Sequence, residues 1–272
     1  MDSNFRTFSF VDQIDSISSG SIRGRYRIPA GVSGFPVALA GEAVGQLAAW
    51  HAMCQTHFEF RPMAGIVTKV QLVGDPQPGD VLDLQAEISD LSPQAMSYSG
   101  RALVNGDIVI VLEGCVGPML PAEQFDSRES LHARYDKLIE GAAVTGGFEG
   151  VPEPDMEFLT GSEMRQEAQL KVPQTAAYFN DHFPRMPVLP GTLQLHAQQL
   201  LVRELLRRRH PEPWAPREIA NSKLRAFVPP GASLHMEASL HVHGSEPVVD
   251  VRVRHEARTV GSAQWRPLRE LP

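Results

Sequence analysis

Cysteines and long apolar runs are both scarce in this chain. It has only Cys54 and Cys115 among 272 residues, which excludes a disulfide framework. No run of about 18 apolar residues, the length needed to span a membrane as a helix, occurs in the sequence. The N-terminus also lacks the apolar stretch of a secretory signal peptide. We therefore expect a soluble cytoplasmic protein that does not interact with a membrane.

Positive charge is also in short supply. Lys and Arg number 25 against 32 Asp and Glu, giving a formal charge of -7, so we expect no nucleic-acid partner. Hydrophobic residues make up 42% and charged residues 21%, which is typical of a globular protein and excludes wholesale disorder. At roughly 150 residues per domain, the length predicts just under two domains.

Two helices stand out from the sequence pattern. The first, predicted over residues 36–54, is apolar on every side, which is typical of a buried helix. Its one carboxylate, Glu42, is therefore conspicuous. The second helix is predicted over residues 190–209.

Each predicted helix is followed by segments rich in β-branched residues and bounded by turn-forming residues. The predicted strands cover residues 64–73, 80–89, 95–104 and 107–116 in the first half, and 218–228, 233–243, 247–255 and 257–265 in the second. Asn105-Gly106 between two of these strands is a strong signal for a hairpin turn.

The similar order of elements in both halves predicts a duplicated α+β unit, made of one strand, a helix and four more strands. We expect an N-terminal domain over residues 1–125, a linker over 126–150, which is rich in Gly, Pro and charged residues, and a C-terminal domain over 151–272. The alternative is a single α+β domain with two unrelated helices.

The segment that precedes the second helix resembles a family motif. The 3-hydroxyacyl-acyl-carrier-protein dehydratases, which have the hotdog fold, carry His-Phe-Pro-x-x-Pro-x-x-Pro-Gly, then four residues, then Glu or Asp followed by Ala. The matching positions here are His182, Phe183, Pro184, Pro187, Pro190, Gly191 and Ala197. The acid position, however, is occupied by His196.

The first half contains the acid that the second half lacks. When Pro36 is placed on Pro190 without gaps, Glu42 falls on the acid position and Ile28 on the histidine position. The segment from Glu42 to Gln46 also resembles the acid-x-x-x-Gln motif of double-hotdog dehydratase domains in polyketide synthases. The resemblance thus implies a double hotdog, with two tandem units in which a long central helix is wrapped by an antiparallel sheet.

In this family the active site lies between two hotdog units, with the histidine from one and the acid from the other. The resemblance therefore implies one complete site, His182 with Glu42, and one inactive site, Ile28 with His196. His182 would be the base, Glu42 the acid, and the Gly191 N–H the group that polarises the thioester carbonyl. Gln46 either orients Glu42 or simply packs in the helix. We expect His196 to be a neutral core histidine.

The implied reaction converts a 3-hydroxyacyl group on an acyl carrier protein into the trans-2-enoyl form, in fatty acid or polyketide-type biosynthesis. No cofactor or metal is expected. A hotdog thioesterase and a non-catalytic acyl-binding or scaffold subunit are the alternatives. Arg185 and the arginines near the end of the second helix are candidate contacts for an acidic carrier, although the latter also suit the negative end of a helix dipole. Further assembly of the fused pair into a homo-oligomer is left open.

Overall fold

The computed structural model describes residues 5–143, 147–159, 161–209, 214–243 and 246–269. The N-terminal half contains β1 (Gln13–Ile17), β2 (Ser21–Arg27), α1 (Val37–Gln55), β3 (Phe60–Pro62), β4 (Ile66–Leu72), β5 (Val81–Leu91), β6 (Ala95–Val104) and β7 (Asp107–Pro121). Helix α2 (Arg128–Glu140) follows. The C-terminal half contains β8 (Asp155–Phe158), β9 (Arg165–Lys171), α3 (Gly191–Arg209), β10 (Trp214–Leu224), β11 (Ser233–His243), β12 (Glu246–His255) and β13 (Arg258–Arg269).

In the described part of the chain, the thirteen strands form one antiparallel sheet, and its order shows the duplication. From the centre outward, the N-terminal half runs β4-β7-β6-β5-β2-β1 and the C-terminal half β10-β13-β12-β11-β9-β8. Each strand of one half thus has a counterpart at the same place in the other, while β3 pairs with the end of β7. The double-hotdog prediction is confirmed.

The two halves meet at the antiparallel pair β4 and β10. Val70 lies opposite Ile219 in this pair, and both side chains are buried. Because the two central strands are hydrogen-bonded, the sheet is continuous across the halves. The helices α1 and α3 lie against this sheet and contact each other, which brings the start of α3 close to the middle of α1.

Helix α1 is buried on most of its surface, as its apolar composition predicts. It begins directly after Pro36, a residue that fits the start of a helix because its missing N–H needs no partner there. The predicted hairpin at Asn105-Gly106 is also confirmed, since both residues have positive φ and Val104 pairs with Asp107.

Two features differ from the sequence prediction. Each helix is preceded by two strands and not by one, because β2 and β9 pair with β5 and β11 and extend the sheet. The segment expected as a linker contains α2, whose N-terminus is capped by the Ser127 side chain and whose C-terminus ends at Gly141 in the left-handed conformation.

Both cysteines are free thiols. None of the described helices is long and apolar enough to span a membrane.

We expect truncation of Ile219 to weaken the joint between the halves. The Ile219→Ala variant should lower the free energy of unfolding by about 2–5 kcal/mol, because it leaves a cavity in the buried centre of the sheet. The Ile108→Ala variant on β7 is the matched control, since Ile108 is exposed, and its effect should stay within about 0.5 kcal/mol. Urea unfolding of both variants measures the difference, and equal losses would contradict the prediction.

Candidate active site

A cavity of about 670 Å³ lies between the two halves. The predicted site residues His182, Glu42 and Gly191 all line it. Gly41 and Gly45 let helix α1 lie close to the sheet on this side, because an added Cβ would lie 3.1 Å from Ile110 Cδ1 and from the Tyr98 hydroxyl respectively. Most of the inner wall is apolar, formed by residues such as Met96, Ile110, Leu112 and Val70. The cavity therefore combines an apolar interior with a few polar groups, which is typical of a small-molecule site.

His182 lies in the loop between β9 and α3, directly after a short turn of 3-10 helix. Its Nδ1 lies 3.1 Å from the carbonyl oxygen of Val188. A carbonyl only accepts hydrogen bonds, so Nδ1 carries the proton and Nε2 is the basic nitrogen of the neutral ring. Burial lowers the pKa of His182, although the negative charge of Glu42 opposes this effect. The site thus favours an imidazole that is free to accept a proton.

Glu42 lies in the middle of α1 and is held from two sides. The Gln46 side-chain amide, one turn further along α1, donates to Glu42 Oε1 at 3.1 Å. Thr192 Oγ1, in the first turn of α3, donates to Glu42 Oε2 at 2.7 Å. The second of these bonds crosses from one half of the chain to the other. The carboxyl group is therefore fixed in the cavity by both helices.

The N-terminal segment, residues 5–8, covers the histidine loop. The buried Asp181 carboxylate accepts hydrogen bonds from the backbone N–H groups of Phe5, Arg6, Thr7 and Phe8, at 2.6–2.8 Å. As a result, the Phe8 ring packs edge-on against the His182 ring, with 5.7 Å between ring centres. The N-terminal half thus supplies a wall of the site around a histidine of the C-terminal half.

The same segment is also tied to α1. Gln46 Oε1 accepts from Phe10 N–H at 2.8 Å, and the Gln46 amide donates to the Phe8 carbonyl at 3.1 Å. Gln46 therefore orients Glu42 and anchors the N-terminal segment with the same side-chain amide group.

Gly191 is the first residue of α3, so its N–H has no partner within the helix. No other hydrogen bond is found for this N–H within the described residues. The positive end of the helix dipole lies behind it. A side chain at this position would collide with Leu224, so packing against β10 also requires a glycine here.

Sequence reasoning missed three polar residues of the cavity: Arg61, Asp181 and Thr192. Asp181 and Thr192 are direct neighbours of His182 and Gly191, and this adjacency was the available signal. Arg61, on β3, lies far from any recognised motif. Its place in the site follows only from the pairing of β3 with the end of β7.

The positions that correspond to His182 and Glu42 in the other half of the repeat are Ile28 and His196. Ile28 is fully buried in the core. His196, expected to be a core residue, is only partly buried and lines a second cavity of about 490 Å³ with Ser33, Gly34 and Pro36. Burial, followed by the positive charge of Arg203, lowers the pKa of His196. Ile28 is not among the residues that line this second cavity, whose carboxylates come from Glu153 and Glu204.

The described residues contain no group of three or more His, Cys, Asp or Glu side chains placed to hold a metal ion.

The C-terminal half matches a family of known activity. Residues 159–263 match the family model of the ApeI-like dehydratases, described as ApeI dehydratase. This range contains the His182 loop, α3 and most of the C-terminal strands. The resemblance to the hotdog dehydratases is therefore confirmed. No curated protein matches the chain.

Solved structures with the same fold cover nearly the whole chain. A 12:0-ACP thioesterase from Umbellularia californica has a TM-score of 0.54 and 11% identity, and covers 92% of this chain and 94% of its own. An acyl-ACP thioesterase from Bacteroides thetaiotaomicron has a TM-score of 0.54 and 10% identity, covering 91% and 98%. A protein of unknown function with a hot dog fold from Alicyclobacillus acidocaldarius has a TM-score of 0.52 and 10% identity, covering 97% and 98%. At these identities, the likeness shows the fold alone.

The surroundings of His182 predict an imidazole that becomes protonated at a lower pH than an ordinary histidine. Its pKa should lie below the ordinary value of about 6.5, since burial disfavours the imidazolium. Titration of the imidazole Hε1 signal by NMR measures this value, and the His182→Gln variant assigns the signal. A pKa at or above the ordinary value would contradict the prediction.

Proposed function

We propose that this hotdog protein, whose C-terminal half matches the dehydratase family, removes water from a 3-hydroxyacyl group on an acyl carrier protein and forms the trans-2-enoyl thioester. One observation carries the proposal. Glu42 from the N-terminal half and His182 from the C-terminal half line one cavity, and Thr192 fixes Glu42 across the boundary between the halves. The acid and the base that a dehydration needs therefore line the same cavity, where one substrate can reach both.

His182, Glu42 and the Gly191 N–H each have one role in the proposed reaction. His182 Nε2 removes a proton from C2 of the substrate, and the electrons of that C–H bond form the C2=C3 double bond. In the reactive form the Glu42 carboxyl group carries a proton and His182 is neutral. The C3–O bond breaks while Glu42 donates this proton to the departing hydroxyl, which leaves as water. During this step the Gly191 N–H and the dipole of α3 stabilise the negative charge on the thioester oxygen. Transfer of the proton from His182 to Glu42 restores the starting state.

The apolar interior of the cavity is the proposed site of the acyl chain. An alkyl chain that enters past His182 continues along the apolar lining, which includes Met96, Ile110 and Leu112 of strands β6 and β7. Burial of each methylene there contributes about 0.8 kcal/mol to binding. The Tyr98 hydroxyl and the Cys115 thiol, which are hydrogen-bonded to each other, lie along this path.

The mouth of the cavity is the proposed docking surface for the carrier. Three large apolar side chains are exposed there, Ile66, Val116 and Phe227. Two exposed arginines, Arg225 and Arg258, also line the cavity. We define these five residues as the rim. An apolar and basic rim suits an acidic carrier and attracts it to an otherwise acidic protein.

The other expected carrier contacts are less suited to docking. Arg207 and Arg208 are paired with Glu204, and Arg185 is paired with Glu123. The Arg185 guanidinium also donates to the Glu123 carbonyl, which fixes the histidine loop against the N-terminal half. These arginines already have partners, whereas the rim lies at the cavity itself.

In this proposal each domain supplies one of the two catalytic side chains. Residues 1–125 form the hotdog unit that supplies Glu42, residues 126–150 connect the units, and residues 151–272 form the unit that supplies His182. Each unit then lacks one half of the catalytic pair, so a single chain contains a single working site.

Both catalytic groups should be essential for interconversion of 3-hydroxyacyl and 2-enoyl thioesters. We expect His182→Ala and Glu42→Gln each to lower kcat by roughly 10²–10⁴-fold, the usual contribution of general acid–base catalysis. Turnover of carrier-bound and pantetheine-bound thioesters, followed at the absorbance of the enoyl thioester, measures the effect. His196→Ala is the control, because it changes a histidine of the second cavity, and it should retain wild-type kcat.

The same assay distinguishes the alternatives. Release of free thiol would show a thioesterase and overturn the dehydratase proposal. Tight acyl binding without turnover would show a binding or scaffold subunit and overturn it as well.

Charge reversal on the rim should impair only carrier-bound substrates. We expect the double variant Arg225→Glu with Arg258→Glu to raise KM for the carrier-bound thioester roughly tenfold, because it repels an acidic partner. KM for the pantetheine thioester should stay unchanged. Arg101→Glu, at an exposed site on β6, is the matched control. Equal KM changes for both substrates would contradict docking at the rim.

A further inference from the structure

Arg61 is a buried cation of the cavity to which the mechanism assigns no task. It lies on β3, in the N-terminal half, and lines the cavity with Glu42 and His182. Its guanidinium carbon lies 4.4 Å from the centre of the Phe183 ring. The Phe183 ring in turn stacks on the His182 ring, with 4.1 Å between centres and 24° between planes. The Phe183 ring thus contacts both the Arg61 guanidinium and the His182 ring.

The guanidinium is not satisfied by protein partners. Arg61 Nη1 is buried and has no hydrogen-bond partner among the described residues. Burial lowers the pKa of Arg61 to about 10, while the carboxylates of Asp126, Glu42 and Asp181 act in the opposite direction. Arg61 therefore stays charged at neutral pH. A buried charge without a direct partner is unfavourable for folding, so a purely structural role explains its presence poorly.

We propose that Arg61 is a positioning residue of the active site, which holds the His182 ring in place through Phe183 and keeps a fixed positive charge beside it. The rate effects of this role rest on the proposed function, whereas its effect on His182 itself does not.

Contacts on the Phe183 ring explain how Arg61 would position the His182 ring. A guanidinium attracts the face of an aromatic ring, and this attraction is stronger where water is excluded. Phe183 is also fixed edge-on by Phe125, at 4.9 Å between ring centres. Fixed by these contacts, the Phe183 ring packs with its face against the imidazole. The Nδ1 bond to Val188 then sets the ring's remaining freedom, rotation within that plane.

The positive charge of Arg61 favours the neutral form of His182. The charged groups around His182 are Glu42 on α1, Arg61 on β3 and Asp181 on its own loop, while the N-terminal segment contacts the ring through the uncharged Phe8. Glu42 favours the imidazolium and Arg61 disfavours it. Removing the cation should therefore raise the pKa of His182 and weaken the supply of neutral base in mildly acidic solution.

The first test is an NMR titration of His182 in the full chain without substrate. We expect Arg61→Met to raise the pKa of His182, because a nearby cation that disfavours the imidazolium is lost. Arg61→Lys keeps the charge and should leave that pKa close to the wild-type value. Arg101→Met, at an exposed arginine, is the matched control. An unchanged pKa in folded Arg61→Met overturns the electrostatic part of the proposal, whether or not the protein is a dehydratase.

The second test is a double-mutant cycle with Phe183→Leu. Arg61→Lys alone should lower kcat roughly tenfold, since the flat stacking group is lost, and should change KM little. In the Phe183→Leu background the same substitution should have no further effect, because Arg61 acts through the ring. Additive losses, or wild-type kcat in Arg61→Lys, overturn the positioning role. If Arg61→Met does not fold, Arg61→Gln replaces it in the titration.

A failed proposal about Arg61 is distinguishable from a failed proposed function. If His182→Ala and Glu42→Gln abolish dehydration while the Arg61 variants keep the wild-type His182 pKa and kcat, only the role of Arg61 is wrong. If wild-type protein shows no dehydration, the titration still decides whether Arg61 sets the protonation of His182.

Discussion

The hydrogen-bonded pair of central strands, β4 and β10, fixes how the two halves of the molecule are placed. The hydrogen bond from Thr192 to Glu42 forms because of this placement. Because these two strands pair antiparallel, the two hotdog units are related by an approximate two-fold axis, and α1 and α3 lie side by side. The first turn of one helix then meets the middle of the other. An acid on α1 and a histidine ahead of α3 reach the same cavity only in this arrangement. The site is therefore a property of the paired sheet and belongs to neither unit alone.

The buried Asp181 carboxylate adds a second constraint. A carboxylate removed from water is strongly unfavourable unless hydrogen bonds replace its hydration. Here four consecutive backbone N–H groups of the N-terminal segment, residues 5–8, supply these bonds. The first residues of the chain are thereby joined to a loop about 175 positions away. Because Gln46 ties the same segment to α1, the His182 loop, Glu42 and the N-terminal segment form one connected network.

The parts of this structure that were predictable are those with a local or repeated signal. The long helices, the Asn105-Gly106 hairpin and the central strands follow from periodicity and turn residues. The placement of Glu42 and His182 in one cavity was implied by the repeat together with the family resemblance. The outer strands β2 and β9 escaped prediction although buried and more exposed residues alternate in both. Each is only seven residues long and has few large apolar side chains among its polar and charged ones, so the alternation is a weak signal in the sequence. Arg61 escaped for another reason. Its contact with Phe183 joins residues that are distant in sequence, and only tertiary packing brings them together.

The two halves differ physically at the positions that correspond to His182, Gly191 and Glu42. At the first of these positions Ile28 is fully buried, so it adds to the core where a histidine would require a hydrogen-bond partner. Val37 stands where α3 has Gly191 and is buried as well, which places a branched side chain at the helix start. His196 stands where α1 has Glu42, and burial and Arg203 disfavour its charged form. The three positions therefore supply neither a histidine ahead of the helix nor a carboxylate within it, so the proposed function confines the reaction to the cavity that His182 and Glu42 line.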